Sequence, residues 1–449
     1  MITKTPAEVG RAGAKYLSSS PAFDQICRNV SMKLLVFAHT PPPHHGQSYM
    51  VKLMLDGFGG DCRRQMERSP DSHGIECYHV NARFSKTLED VGEFHGTKIF
   101  LILIYCLQAL WCRFRHGVTN LYYVPAPGKS VAVYRDWLVM LICRPFFKNI
   151  ILHWHAAGLA KWLETSVQIR SRAITYRVFK PVDLSIVLSR YNVADAEKLL
   201  SRRVRVVGNG IPDPCPDFVE MVLPRRQSRL AMRKNLSTGG LLPLHDFEKN
   251  GEDPRVIKVL YLAHCTREKG LFDTLDAVAL ANANLSRSGS PVQVRLTVAG
   301  EFIHVSEQAE FEARIVRPDL QGGDDPTAKC CVTYLGFAGG ERKRQAFVES
   351  DIFCFPTYYH AESFGLVVVE AMAFGLPVVT TRWRSIPEIL PPDYAGLVDP
   401  KSPEQIAEAL VRLAVCNLAE PLREFFLRRF TLEQYLGGLA TAIRGVEDP

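Results

Sequence analysis

The sequence holds twelve cysteines among 449 residues but no C-x-x-C pair, and only Cys330 and Cys331 are adjacent. That scatter fits neither a zinc site nor a secreted disulfide framework, so reduced and mostly buried thiols in a cytoplasmic protein are expected. The opening stretch, MITKTPAEVGRAGAKYLSSS, lacks the apolar centre of a signal peptide. No run reaches the roughly 18–20 apolar residues of a membrane span. The nearest approach is Ile99 to Cys112, IFLILIYCLQALWC, which is fourteen residues long with a glutamine inside and reads as a buried helix. A dinucleotide-type glycine fingerprint is missing as well, because Gly57, Gly59 and Gly60 follow a helix instead of opening one. Charge of one sign hardly predominates. A net charge of +7 on this length is too weak to argue for nucleic acid. It suits an anionic small molecule or peripheral contact with the inner, anionic face of a membrane, and does not choose between them.

What is present is the composition of an ordinary globular protein, 47% hydrophobic and 22% charged, long enough for two domains of about 200 residues each. Near-continuous apolar runs alternate with helical patterns. Lys33 to His39, KLLVFAH, reads as a buried strand; it breaks into the loop TPPPHHGQS and a helix from Tyr49. Strands follow near Glu76–Val80, Leu121–Val124, Asn149–Trp154, Asp183–Leu188 and Val204–Val207, the last running into Asn209-Gly210-Ile211. This βαβ rhythm predicts a parallel sheet with ligands at the carboxyl ends of its strands, where His155 stands, with His153 two residues back on the same side. From Pro212 to Pro254 the chain is rich in proline, arginine and polar residues, and reads as a linker or solvated insertion. A second series of strands begins at Val256, followed by HCTREKG and a helix from about Leu271.

The second half is organised around FCFPTYYHAESFGLVVVEAMAFGLPVVTTRWRSIPEI, Phe353 to Ile389. A short strand ends at Pro356, a polar loop ends at Ser363 (a natural helix N-cap), and Phe364 to Phe374 reads as a helix closed by Gly375. Glu370 lies in an apolar helix, where a carboxylate is costly unless something pairs with it. Its two oxygens suit a vicinal diol such as a ribose. The helix N-terminus, freed of bulk by Gly365, suits a phosphate. The alternative is a surface loop glutamate, Glu362, with Glu370 held in an arginine salt bridge.

The spacing of Glu362 and Glu370, with Phe-Gly-Leu after the first and Ala-Met-Ala-Phe-Gly-Leu-Pro-Val-Val after the second, closely resembles the signature of retaining glycosyltransferases of family 4. The resemblance runs from about residue 33 to 440, tightly in the second half and loosely in the first. It implies an α/β, GT-B fold: two Rossmann-like domains facing each other across a donor-binding cleft. The expected division is an N-terminal extension over 1–31, an acceptor domain over 32–211, a linker over 212–254, a donor domain over 255–420, and a helical tail over 421–449 that returns to the first domain. The donor is a nucleotide-sugar used as co-substrate, with neither cofactor nor metal; the absence of any D-x-D suits a metal-free site. The acceptor is a glycan or lipid-linked hydroxyl.

The resemblance also implies roles. His155 lies by the anomeric carbon, and Glu362 holds hydroxyls of the transferred sugar beside the backbone N–H groups of Phe364, Gly365 and Leu366. Glu370 takes the ribose. Lys269 of the Lys-Gly pair neutralises the diphosphate. The family's arginine stands a few residues earlier, where this chain has His264, so that Arg267 is the candidate substitute. The family's Gly-Gly pair in the first loop is His45-Gly46 here, leaving Gly46 against the donor phosphates. The competing reading is a GT-B binding protein with a decayed site.

Overall fold

The computed structural model describes residues 31–42, 46–64, 73–83, 96–125, 128, 130–237, 253–321 and 330–447. All but the last residue of the expected N-terminal extension, His45, and residues 238–252 of the expected linker lie outside these.

The first half forms one parallel sheet from β1 (Met32–Phe37), β2 (Ile75–Val80), β3 (Asn120–Tyr123), β4 (Asn149–Trp154), β5 (Val182–Val187) and β6 (Ser201–Val206), in the order β2-β1-β3-β4-β5-β6. Every residue of β4 is buried, as expected of a strand covered on both faces. Helix α1 (Gly46–Gly57) lies on one face; α2 (Gly96–His116), α3 (Ser130–Cys143) and α4 (Ile169–Phe179) form a layer on the other. α1 begins at Gly46, three residues before the expected Tyr49.

The second sheet holds β7 (Val256–Leu262), β8 (Gln293–Ala299), β9 (Val332–Gly336), β10 (Ile352–Phe355), β11 (Val378–Thr381) and β12 (Leu397–Val398), in the order β12-β11-β10-β7-β8-β9. Its helices include α5 (Leu223–Ser237), α6 (Gly340–Glu349) and α7 (Leu366–Ala373). The last helix, α8 (Leu432–Arg444), crosses back: Tyr435, Leu436 and Leu439 share a core with Met50, Met54 and Phe58 of the first domain. Gly57 makes the contact close, since a Cβ there would meet Leu436 Cδ1 at 2.3 Å.

Two expectations fail, each for a physical reason. The segment over 212–254 is not a solvated insertion where it is described. Within α5, Arg229 and Arg233 are buried and both bond to Asp351, with Arg229 Nε and Nη2 2.8 and 2.9 Å from its two carboxylate oxygens. Asp351 also accepts from the Lys258 N–H at 2.8 Å. Burial would raise its pKa, yet the two guanidinium groups and this amide hold it down at about 2. An arginine-rich run thus reads as solvated only until its buried anion is known.

The apolar run Ile99 to Cys112 is helical but not a buried helix. Only the stripe Ile102, Cys106, Ala109 and Cys112 enters the core, while Phe100, Leu107 and Trp111 are 66%, 66% and 54% exposed. A helix apolar all round buries one face against a sheet and leaves the other uncovered unless a further layer is added. Among the described residues, this is the one helix long and apolar enough to cross a membrane.

Candidate active site

The site forms where the first turns of α7 and α1 meet across the two domains. β10 delivers the chain at Phe355 into the loop that carries Glu362. The bend into α7 is made at Gly365, in the left-handed region at φ +72°, where a Cβ would lie 2.7 Å from Ile386 Cδ1. Ser363 does not cap the helix, as its position suggested. Its hydroxyl donates to the His155 carbonyl at 2.5 Å, and Gly365 takes the N-cap place with no side-chain hydrogen bond. The positive end of α7 therefore carries no side-chain acceptor at its cap, the arrangement that suits an anion. Phe364 itself is core: its ring packs on Phe430 and lies 3.2 Å from the point a Gly208 Cβ would occupy.

Glu362 and Glu370 each hold a lysine. Lys269 Nζ is 2.6 Å from Glu362 Oε2, and Lys343 Nζ is 2.6 Å from Glu370 Oε1. Both pairs are largely sheltered from water, with 18% and 10% side-chain exposure for the first and 31% and 17% for the second. Thr357 Oγ1 also donates to Glu362, at 3.4 Å. Glu370 Oε2 is buried and makes no hydrogen bond among the described residues. A buried carboxylate oxygen left over in this way is an acceptor awaiting a donor.

Lys269 is aimed by its neighbours. Gly270 turns the chain at φ +83°, and a Cβ on it would sit 2.4 Å from the Pro356 carbonyl oxygen. The ammonium lies 4.6 Å from the Tyr359 ring centroid. His264 is near enough for Lys269 to help lower its pKa, after burial, so its imidazole is held neutral. Arg267 turns elsewhere: its guanidinium pairs with Glu310 and lies 4.5 Å from the Phe272 centroid, while its N–H donates to Glu307 at 2.7 Å.

Across the cleft, a Cβ on Gly46 would meet Leu366 Cδ1 at 3.5 Å, so the start of α1 faces the start of α7. Tyr49, one turn further, has its pKa raised by burial and then by the charge of Glu370. His155 follows β4 directly, its carbonyl tied to Ser363. The ring of His153 is 4.1 Å from that of His155 and is wholly buried, with Nδ1 2.5 Å from the Tyr122 hydroxyl. Burial, followed by His155, drives its pKa well down, so it stays neutral. Asp195 fixes the loop after His155 by accepting from the Gly158 and Ala160 N–H groups at 2.8 and 2.6 Å. From the second domain, Glu388 accepts from the Arg190 and Tyr191 N–H groups at 2.7 and 2.8 Å and clamps the two halves.

The structure thus brings together His155, Glu362, Lys269, Gly46, Gly365, Leu366 and Glu370, and leaves Arg267 on another pair. Sequence reasoning missed Lys343 and Tyr49. Lys343 sits in ERKRQ, where nothing separates it from the basic residues on either side. Tyr49 is one tyrosine of fifteen. Among the described residues no three His, Cys, Asp or Glu side chains converge as metal ligands.

Residues 256–415 match the family model of the glycosyl transferases group 1. The amylovoran biosynthesis glycosyltransferase AmsK of Erwinia amylovora is 28% identical over 163 residues, 35% of this chain and 36% of that one. A D-inositol 3-phosphate glycosyltransferase of Pseudarthrobacter chlorophenolicus is 33% identical over 133 residues, 30% of this chain and 28% of that one. The chain spans about a third or less of the length of the curated relatives it matches. Over nearly the whole fold, it superposes on HepE of Anabaena, crystallised with UDP and glucose, at a TM-score of 0.58 and 15% identity, covering 91% of this chain and 99% of that one. The two facing parallel-sheet domains are therefore the GT-B fold.

Proposed function

We propose that the protein is a retaining, metal-independent glycosyltransferase of the family 4 type, moving a sugar from a nucleotide-sugar to a hydroxyl of a glycan or lipid-linked precursor. One observation carries this reading: Glu370 offers a buried, unpartnered oxygen beside the uncapped first turn of α7, opposite the start of α1. A ribose hydroxyl on Glu370, a diphosphate along the first turn and a sugar hydroxyl on Glu362 fit that row of groups in order. The match to the glycosyl transferases group 1 model covers the domain that holds both glutamates.

The chemistry asks for positive charge where the nucleoside diphosphate leaves. Lys269 supplies it. Its bond to Glu362 keeps both charges compensated, and an arriving diphosphate competes for the same ammonium. The helix end adds its dipole. The leaving phosphate takes the proton from the incoming hydroxyl, so no protein base is required on that face, and His155 positions the sugar at the end of β4. Closure of the two domains where α1 meets α7 would exclude water, which otherwise competes as acceptor. The free thiols throughout the described residues fit a reducing cytoplasm.

HepE was crystallised with UDP and glucose, so UDP-glucose is the first donor to test. The test is release of nucleoside diphosphate from UDP-, GDP- and ADP-sugars, by wild type and Glu362→Gln. Release by the wild type that the variant reduces at least a hundredfold supports the reading. No release from any donor, with every donor nonetheless bound, favours a decayed GT-B binding protein, to which the diversion of Arg267 onto Glu310 would then be the clue.

A further inference from the structure

The outer face of α2 has no part in the site just described, yet it exposes a run of large apolar side chains. Phe100, Leu103, Leu107, Trp111 and Phe114 follow one another three or four residues apart and are 66%, 42%, 66%, 54% and 67% exposed. That spacing places them in one stripe along the helix, opposite Ile102, Cys106, Ala109 and Cys112, which are buried. At roughly 200 Å² per aromatic side chain, Phe100, Trp111 and Phe114 alone leave about 370 Å² of aromatic surface in water. The patch continues sideways. The Phe114 ring meets that of Phe146 at 5.8 Å, and on α3, which packs beside α2, Tyr134 and Leu141 are 47% and 59% exposed. Contiguous apolar surface of this size marks a site of interaction.

Charge says what covers it. Between residues 96 and 163 there are eight lysines and arginines (Lys98, Arg113, Arg115, Lys129, Arg135, Arg144, Lys148 and Lys161) against the single acid Asp136. The segment therefore carries +7, the whole of the chain's net charge, and everything else sums to zero. Asp136 is itself buried and bonded to the Tyr123 hydroxyl and to Arg135. Further along the same layer, α4 has Arg170, Arg172 and Arg177 and no acid.

We infer that the face formed by α2, α3 and α4 docks on an anionic lipid surface. α2 lies in the plane of the interface, its apolar stripe in the headgroup–acyl boundary and its flanking guanidinium and ammonium groups on lipid phosphates. Trp111 and Tyr134 have the amphipathic rings that settle at that depth. α2 does not cross the bilayer in this arrangement, because its other face is built into the core of the first domain. The inference stands on this surface alone and does not depend on the donor reading.

The test is flotation of the full chain with vesicles of phosphatidylglycerol and phosphatidylcholine, and with pure phosphatidylcholine, at low and high salt. Tryptophan emission is recorded in parallel. The wild type is expected to float with the anionic vesicles at low salt and to be released by salt, with a blue shift that Trp111→Phe removes without loss of binding. Leu107→Glu combined with Phe114→Glu, and separately the milder Arg115→Glu, should lower the bound fraction about tenfold or more, their melting curves remaining those of the wild type. Failure of the wild type to bind anionic vesicles at low salt overturns the inference. So does equal binding of both variants, or a stable wild-type dimer that Leu107→Glu with Phe114→Glu converts to monomers, since a second copy then covers the stripe.

Discussion

Lys269 and Glu362, ninety-three positions apart in the chain, meet at 2.6 Å, and the same loop ties Ser363 to the His155 carbonyl at 2.5 Å. A cation from the turn after β7, a carboxylate from the loop after β10 and a backbone group from the end of β4 are thereby fixed in one place. Strand ends of two parallel sheets supply all three, as expected for ligand sites in such folds.

Removing the cation should cost binding before anything else. Lys269→Ala leaves Glu362 sheltered and without its lysine, and takes away the charge proposed to meet a diphosphate. Charged hydrogen bonds contribute about 1.5–3 kcal/mol, so donor affinity should fall about tenfold to a hundredfold. Titration calorimetry checks this; unchanged affinity would remove Lys269 from the site.

Gly270→Ala should destabilise the second domain by about 1–3 kcal/mol, because the new Cβ falls on the Pro356 carbonyl and φ is +83°. Gly289→Ala is the control: its φ is +68°, but nothing lies within 4 Å of the added carbon. The melting temperature of Gly270→Ala should lie below that of the control. Equal melting would mean that the Lys-Gly turn is not packed as described.

Asp351 gives a prediction in pH. Its folded pKa of about 2 lies below its ordinary value of 3.8, so its contribution is complete above about pH 4 and is lost as pH falls through about 2. That difference corresponds to about 2 kcal/mol. Asp351→Asn should therefore lower stability at neutral pH and flatten the acid limb of the wild type's stability curve, as followed by denaturant unfolding between pH 2 and 7. A variant that keeps the full acid slope would contradict the assignment.

The parts of this fold that announced themselves did so through pattern. Most of the parallel strands are nearly unbroken apolar runs, though β6, SRRVRV, is not, and the stretch from Phe353 to Ile389 carries its turns in Gly365 and Gly375, so both sheets and the loop of Glu362 were legible. Pairings over long separations were not. Nothing near Glu370 in the chain points to Lys343, and nothing in α5 says that Arg229 and Arg233 bury themselves on Asp351. The Ile99 to Cys112 run misled for a related reason: apolar composition gives the length of a helix but not how many of its faces the fold covers. Arg267 shows the limit of spacing, because two nearby glutamates on a neighbouring helix capture it.

The most direct test of the donor site is a titration and thermal-shift panel of UDP-, GDP- and ADP-sugars against wild type and Glu370→Ala. The site described here predicts that one nucleotide class raises the wild-type melting temperature and that Glu370→Ala, folded and stable, loses that response. A wild type that responds to no nucleotide-sugar, or a Glu370→Ala variant that responds as fully as the wild type, would contradict it.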